Sequence, residues 1–107
     1  MQIVIKRVSH KPWGIDGVLR INGRRVCDTV EHPWRRKPVG TYEIDLGTHP
    51  FRHGDGAMKS VNGEIIVGDM ALPGLVIHSA EKYSKLYQRL KKAWQRGTEV
   101  KLIIRDH

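Results

Sequence analysis

Asn22-Gly23, set between VLRI and RRVCDTV, constrains this chain more than any other pair of residues. Both positions of a two-residue type I′ hairpin need positive φ, which asparagine tolerates and glycine adopts freely. Two alternating runs flanking Asn-Gly therefore predict paired antiparallel strands. In that register Ile21 faces Arg24. Leu19, Ile21, Val26 and Val30 then share one face, and Val18, Arg20, Arg25, Cys27 and Thr29 the other. Cys27 reads as a small packed side chain, since no basic group that would activate a thiol stands near it in sequence.

The same period-2 pattern recurs on both sides of the hairpin. QIVIKRV (2–8) puts Ile3 and Ile5 on one face, and TYEIDL (41–46) puts Tyr42, Ile44 and Leu46 inward. EIIVG, PGLVIH and the closing TEVKLIIRD read as further strands, with a turn at Pro73-Gly74. One helix is expected from about Ala80 to Arg96, with Ser79 as its N-cap and Gly97 just past its end. Its apolar stripe is Ala80, Tyr83, Leu86, Tyr87, Leu90, Ala93 and Trp94, and lysines and arginines fill much of the remaining surface. The expected fold is mainly β: a small antiparallel or mixed sheet or partly closed barrel, with one amphipathic helix (about 79–96) packed on it. At 107 residues the chain should form a single domain, 1–107.

Composition narrows the function classes. No apolar run approaches the roughly 20 residues needed to span a bilayer. The opening MQIVIKRVSH is too short and too alternating for a signal-peptide core, so a cytoplasmic chain is expected. A single cysteine excludes an internal disulfide and a multi-cysteine metal centre. Nineteen Lys and Arg against eleven Asp and Glu give a net charge of +8, which favours an anionic partner such as nucleic acid or a cell-wall polymer. No sequence feature calls for a cofactor or sets an oligomeric state.

Residues 47–63 hold four glycines and one proline and read as a long loop, a length that compact domains usually reserve for function. In and after it stand His53, Asp55, Glu64 and His78, the candidate catalytic residues. As metal ligands they would offer two imidazoles and two carboxylates, but no short signature such as His-Glu-x-x-His is present, and no metal is expected. As acid–base groups, His53 with Asp55 or Glu64 would form an oriented imidazole acting on water. Ser60, in the same loop, is too ordinary a neighbour to count as a nucleophile. A separate candidate is PWRRKP: Trp34 beside Arg35, Arg36 and Lys37 joins a stacking ring to phosphate-seeking charge, with Arg52 and His53 as further binding candidates.

CDTVEHPW, PVGTYEIDL, RHGDG, GEIIVG, IHSAEKYSKLYQRL and VKLII, in that order, resemble an uncharacterised small-domain family of bacteria and their phages. The similarity covers most of the chain. That family's His…Gly-Cys pattern is similar to the active site of L,D-transpeptidases, in which a cysteine attacks a peptidoglycan peptide with help from a histidine. Carried over by position, His53 matches the histidine, Gly63 the glycine, and Glu64 stands at the cysteine position. Cys27 matches a different family cysteine, in the hairpin. A carboxylate attacking the same carbonyl would give a mixed anhydride and is a poor replacement for a thiolate.

The resemblance therefore implies a non-catalytic or catalytically degenerate binding or accessory domain, phage- or prophage-associated, and so a place in the virion or the host cell is also open. Two other readings stand beside it. One is a cell-wall peptide hydrolase or transferase using His53 and Glu64; the other is a nucleic-acid-binding protein using Arg35, Arg36, Lys37 and the helix face.

Overall fold

In the computed structural model, which describes residues 1–106, the Asn22-Gly23 turn has the positive φ values its sequence demands, 49° and 86°. It joins β2 (Gly14–Ile21) to β3 (Arg24–Glu31), and Ile21 faces Arg24. Two residues beyond Arg24, the alternation shifts. Arg20 faces Arg25 but Leu19 faces Cys27, so Val26 is an extra residue bulged out of the ladder.

The bulge corrects the face assignment of the strand from Cys27 onward. Cys27 joins Leu19 and Ile21 in the main core, and Val26 packs only at its margin. Val30 turns to the opposite side of the sheet, where it meets Ala57, Ile66 and Val76 in a second, smaller cluster. A one-residue insertion flips every side chain beyond it, which is why strict alternation failed here.

β1 (Gln2–Lys11) pairs antiparallel with β2 and parallel with β8 (Lys101–Arg105), which in turn carries β4 (Gly40–Glu43) on its outer edge. On the other side β3 pairs with β6 (Ile65–Leu72), and β6 runs parallel to the two-residue β5 (Phe51–Arg52). The order β4-β8-β1-β2-β3-β6-β5 makes a strongly curled mixed sheet, a half-barrel, with β7 (Leu75–Ile77) folded back on β6. The mainly β fold with one helix expected from the sequence is the fold observed.

α1 (Ser79–Gln95) fills the curl, burying Leu86, Leu90 and Ala93 against Ile3, Ile5, Leu102 and Ile104. Each fully buried Leu contributes about 1.5–3 kcal/mol. Ala80 lies outside this stripe, exposed at the helix start. Gly97, with φ 74°, ends the helix as expected: its N–H donates to Trp94 O and the Thr98 N–H to Ala93 O.

Three local expectations are corrected. Ser79 is not the N-cap: His78 occupies that position in the left-handed region, φ 56°, and makes no side-chain cap. The Ser79 hydroxyl instead donates to Val67 O on β6 and accepts from the Gly54 N–H, tying the helix start to the long loop. β4 stops at Glu43, because Asp45 turns the chain: its carbonyl accepts from the Thr48 N–H and its carboxylate from the Gly47 N–H. Ile44 is buried, Tyr42 half-buried and Leu46 exposed. Finally, the 47–63 loop contains β5 and one 3₁₀ turn, Ala57–Lys59, and Phe51 within it is wholly buried.

Candidate functional site

The four candidate catalytic residues, His53, Asp55, Glu64 and His78, do not converge. His53, exposed at the end of β5, has its ring against Tyr83 of α1, 5.6 Å between centroids. Asp55 pairs with Lys59 four residues on, at 3.0 Å, and that lysine hydrogen bond holds its carboxyl below the usual aspartate range. His78 Nδ1 lies 2.9 Å from Asp69 Oδ2, and this contact, with Lys82 behind it, lowers the Asp69 pKa.

Glu64 is held twice: Oε1 accepts from the Val61 N–H at 2.8 Å, and Oε2 lies 3.1 Å from Arg52 Nε. The same Arg52 donates Nη1 to the carbonyls of Phe51 and His49, so its guanidinium is occupied. Among the described residues no hydrogen bond or ion pair joins His53 to Glu64, Asp55 or His78, and no group of three or more His, Cys, Asp and Glu side chains is placed to hold a metal ion. The Ser60 hydroxyl donates to Ala57 O inside the fold, a structural bond closing the 3₁₀ turn.

Cys27 is equally unsuited to attack. It is 3% exposed in the core, and burial pushes its thiol up to about 12. His49, which no motif singles out, stands among Phe51, Tyr83, Tyr87 and Trp94, with Nδ1 buried and without a hydrogen bond. Burial, assisted by the nearby Arg52 charge, lowers its pKa, so the imidazole is neutral at pH 7.

The basic loop 32–39 is organised differently. Trp34 is 73% exposed, yet the backbone beneath it is fixed at several points. Buried His32 accepts the Trp34 N–H on Nδ1 at 3.2 Å. The Gly63 N–H donates to Arg35 O at 2.7 Å, and Tyr42 donates its hydroxyl to Pro38 O. Lys37 Nζ lies 4.8 Å over the Tyr42 ring.

The deepest anchor is Arg7, 1% exposed. Its Nε and Nη2 make two parallel bonds to the Glu31 carboxylate, at 3.0 and 2.9 Å, and Nη2 also donates to Lys37 O at 2.6 Å. Burial opposes the charge on Arg7, but the Glu31 hydrogen bond and charge, with Asp106 3.8 Å away, outweigh it and hold the pKa above its ordinary value. Arg7, Trp34, Arg36, Lys37 and Asp106 border a shallow polar concavity of about 460 Å³.

Of the binding candidates, then, Trp34, Arg36 and Lys37 gather round one hollow. Arg35 is exposed beside it, and Arg52 and His53 belong to other contacts. Sequence reasoning missed Arg7 and Glu31, though the alternation that buries Ile3 and Ile5 buries Arg7 as well. A charged residue on the inward face of a strand was the available signal.

Comparison with protein families, with curated proteins and with solved structures gives no match for the chain. No helix among the described residues is long and apolar enough to cross a membrane.

Proposed function

We propose that this is a small basic binding domain without catalytic turnover, L,D-transpeptidase-like in pattern and phage- or prophage-associated, that takes an anionic ligand on loop 32–39. The carrying observation is Trp34: an indole left 73% exposed on a loop that His32, Gly63, Tyr42 and Arg7 hold in place. A tryptophan side chain offers about 150–250 Å² of contact area, and a loop fixed in advance loses little entropy when that area is covered. Arg36 and Lys37 border the same hollow, so the ligand combines negative charge with a flat face, as a nucleobase or a sugar of a cell-wall fragment does.

Hydrolysis or transfer at a cell-wall peptide has less support, because Glu64 is engaged by Arg52 and the Val61 N–H and His53 leans on Tyr83. The test is titration with a single-stranded oligothymidylate and, separately, with a muropeptide. At least one should bind, and Trp34→Ala should weaken it about tenfold or more, the effect of losing an aromatic anchor. Hydrolysis of the muropeptide that collapses in Glu64→Gln would overturn the proposal.

A further inference from the structure

The cations of α1 divide into two halves. Near its start, Lys82 lies 3.6 Å from Asp69 and Lys85 3.1 Å from Glu81. Further along, Arg89, Lys92 and Arg96 have no carboxylate partner among the described residues. These three lie at i, i+3 and i+7 on one face and border a concavity of about 330 Å³ closed by Asn22 of the hairpin turn and by Thr98. No acidic residue lines it.

Like charges at this spacing repel, each close pair costing a few tenths of a kcal/mol. The negative end of the helix dipole offsets part of that for Lys92 and Arg96, but its influence fades within the last turn, and Arg89 stands two turns from the end. Asn22 adds a donor of its own: its side-chain oxygen already accepts from the Gln2 N–H, leaving the NH₂ group for the hollow.

From these observations we infer that Arg89, Lys92 and Arg96, with Asn22 and Thr98, form a binding site for the phosphodiester backbone of double-stranded nucleic acid, read without regard to base sequence. Seven helical residues separate Arg89 from Arg96, about 10 Å along the axis. Each strand of a duplex presents one phosphate per about 3.4 Å of its axis, so a rigid row of cations of this length lies beside about three phosphates. The lining has no aromatic ring on which an unpaired base could stack and no carboxylate that could accept from a base amine, which favours backbone over base contact.

The site is separate from the Trp34 loop. Asn22 borders it and pairs with Gln2 at the start of β1, whereas Arg7 borders the other hollow five residues along, about 17 Å away at strand rise. Either proposal can fail without the other.

The test is fluorescence anisotropy with a labelled mixed-sequence duplex of about two helical turns, over a range of salt. Wild type should bind with a log–log salt slope of about −2.7, the value for three neutralised phosphates. Arg89→Gln/Lys92→Gln/Arg96→Gln should lose at least tenfold in affinity and most of that slope. Lys6→Gln/Lys11→Gln/Lys59→Gln removes the same charge elsewhere and should bind nearly as wild type.

Equal losses in the two triple variants would overturn the site, reducing it to net charge. So would full displacement of the duplex by millimolar inorganic phosphate at constant ionic strength, or binding of a poly(glycerol phosphate) chain in place of the duplex. Amide shifts at Asn22, Arg89 and Thr98 on adding duplex would support it.

Discussion

Arg7 on β1 and Glu31 at the end of β3 meet side-on through two parallel hydrogen bonds, and neither side chain reaches solvent. The pair sits under both ends of the basic loop, because Glu31 leads into the loop and Arg7 also holds the carbonyl of Lys37. Removing Arg7 alone leaves a buried carboxylate with no counter-ion. Arg7→Met is therefore expected to cost about 3–5 kcal/mol in urea unfolding. Arg7→Met/Glu31→Leu should recover most of that loss, since a pair of apolar side chains of similar volume replaces the ion pair at little net cost. The double variant should still bind ligand less well than wild type, having lost the bond to Lys37.

Trp34 and the core respond to different changes. Trp34→Ala should leave unfolding free energy within about 0.5 kcal/mol of wild type, the range for an exposed position. Leu90→Ala, which opens a cavity beneath α1, should cost about 2–5 kcal/mol. Equilibrium denaturation of the two variants separates a residue kept for binding from one kept for packing.

Cys27 should be inert in the native state. With its thiol pushed up to about 12 by burial, a maleimide at pH 7.5 should label it only as fast as the chain opens, and labelling should accelerate sharply in denaturant. Stoichiometric labelling within seconds under native conditions would contradict the burial that removes Cys27 from thiol chemistry.

His49 gives the fold a pH dependence whose direction is fixed. Its folded-state pKa lies below the ordinary histidine value, so the unfolded chain binds the proton more tightly than the folded one. Its contribution to stability is complete above about pH 6.5, the unfolded value, and falls as pH drops from there through the lower folded value. His49→Phe removes the buried, unpaired Nδ1 and should flatten the stability profile between pH 7 and 5, read by thermal unfolding at half-unit steps.

Much of the fold was legible because it rests on local chemistry. Asn22-Gly23 set one hairpin, Gly97 set the helix end, and the inward face of β1 followed from Ile3 and Ile5. The failures have physical causes. The bulge at Val26 follows no alternation rule, and it moved Cys27 into the core and Val30 to the far side. Ser79 looks like a helix cap in one dimension, but tertiary partners, Gly54 and Val67, take its hydroxyl instead. The site was readable only in part. Trp34, Arg36 and Lys37 announce themselves as a run, whereas the Arg7–Glu31 pair beneath them joins residues 24 apart in sequence.

The most direct measurement is the indole N–H resonance of Trp34, assigned by its disappearance in Trp34→Phe, followed while oligothymidylate or muropeptide is added and product formation is monitored in the same tube. A saturable shift of that resonance with no turnover is the expected result. An unmoved Trp34 signal beside product formation that stops in Glu64→Gln would contradict a binding domain and return the loop from His53 to Glu64 to catalysis.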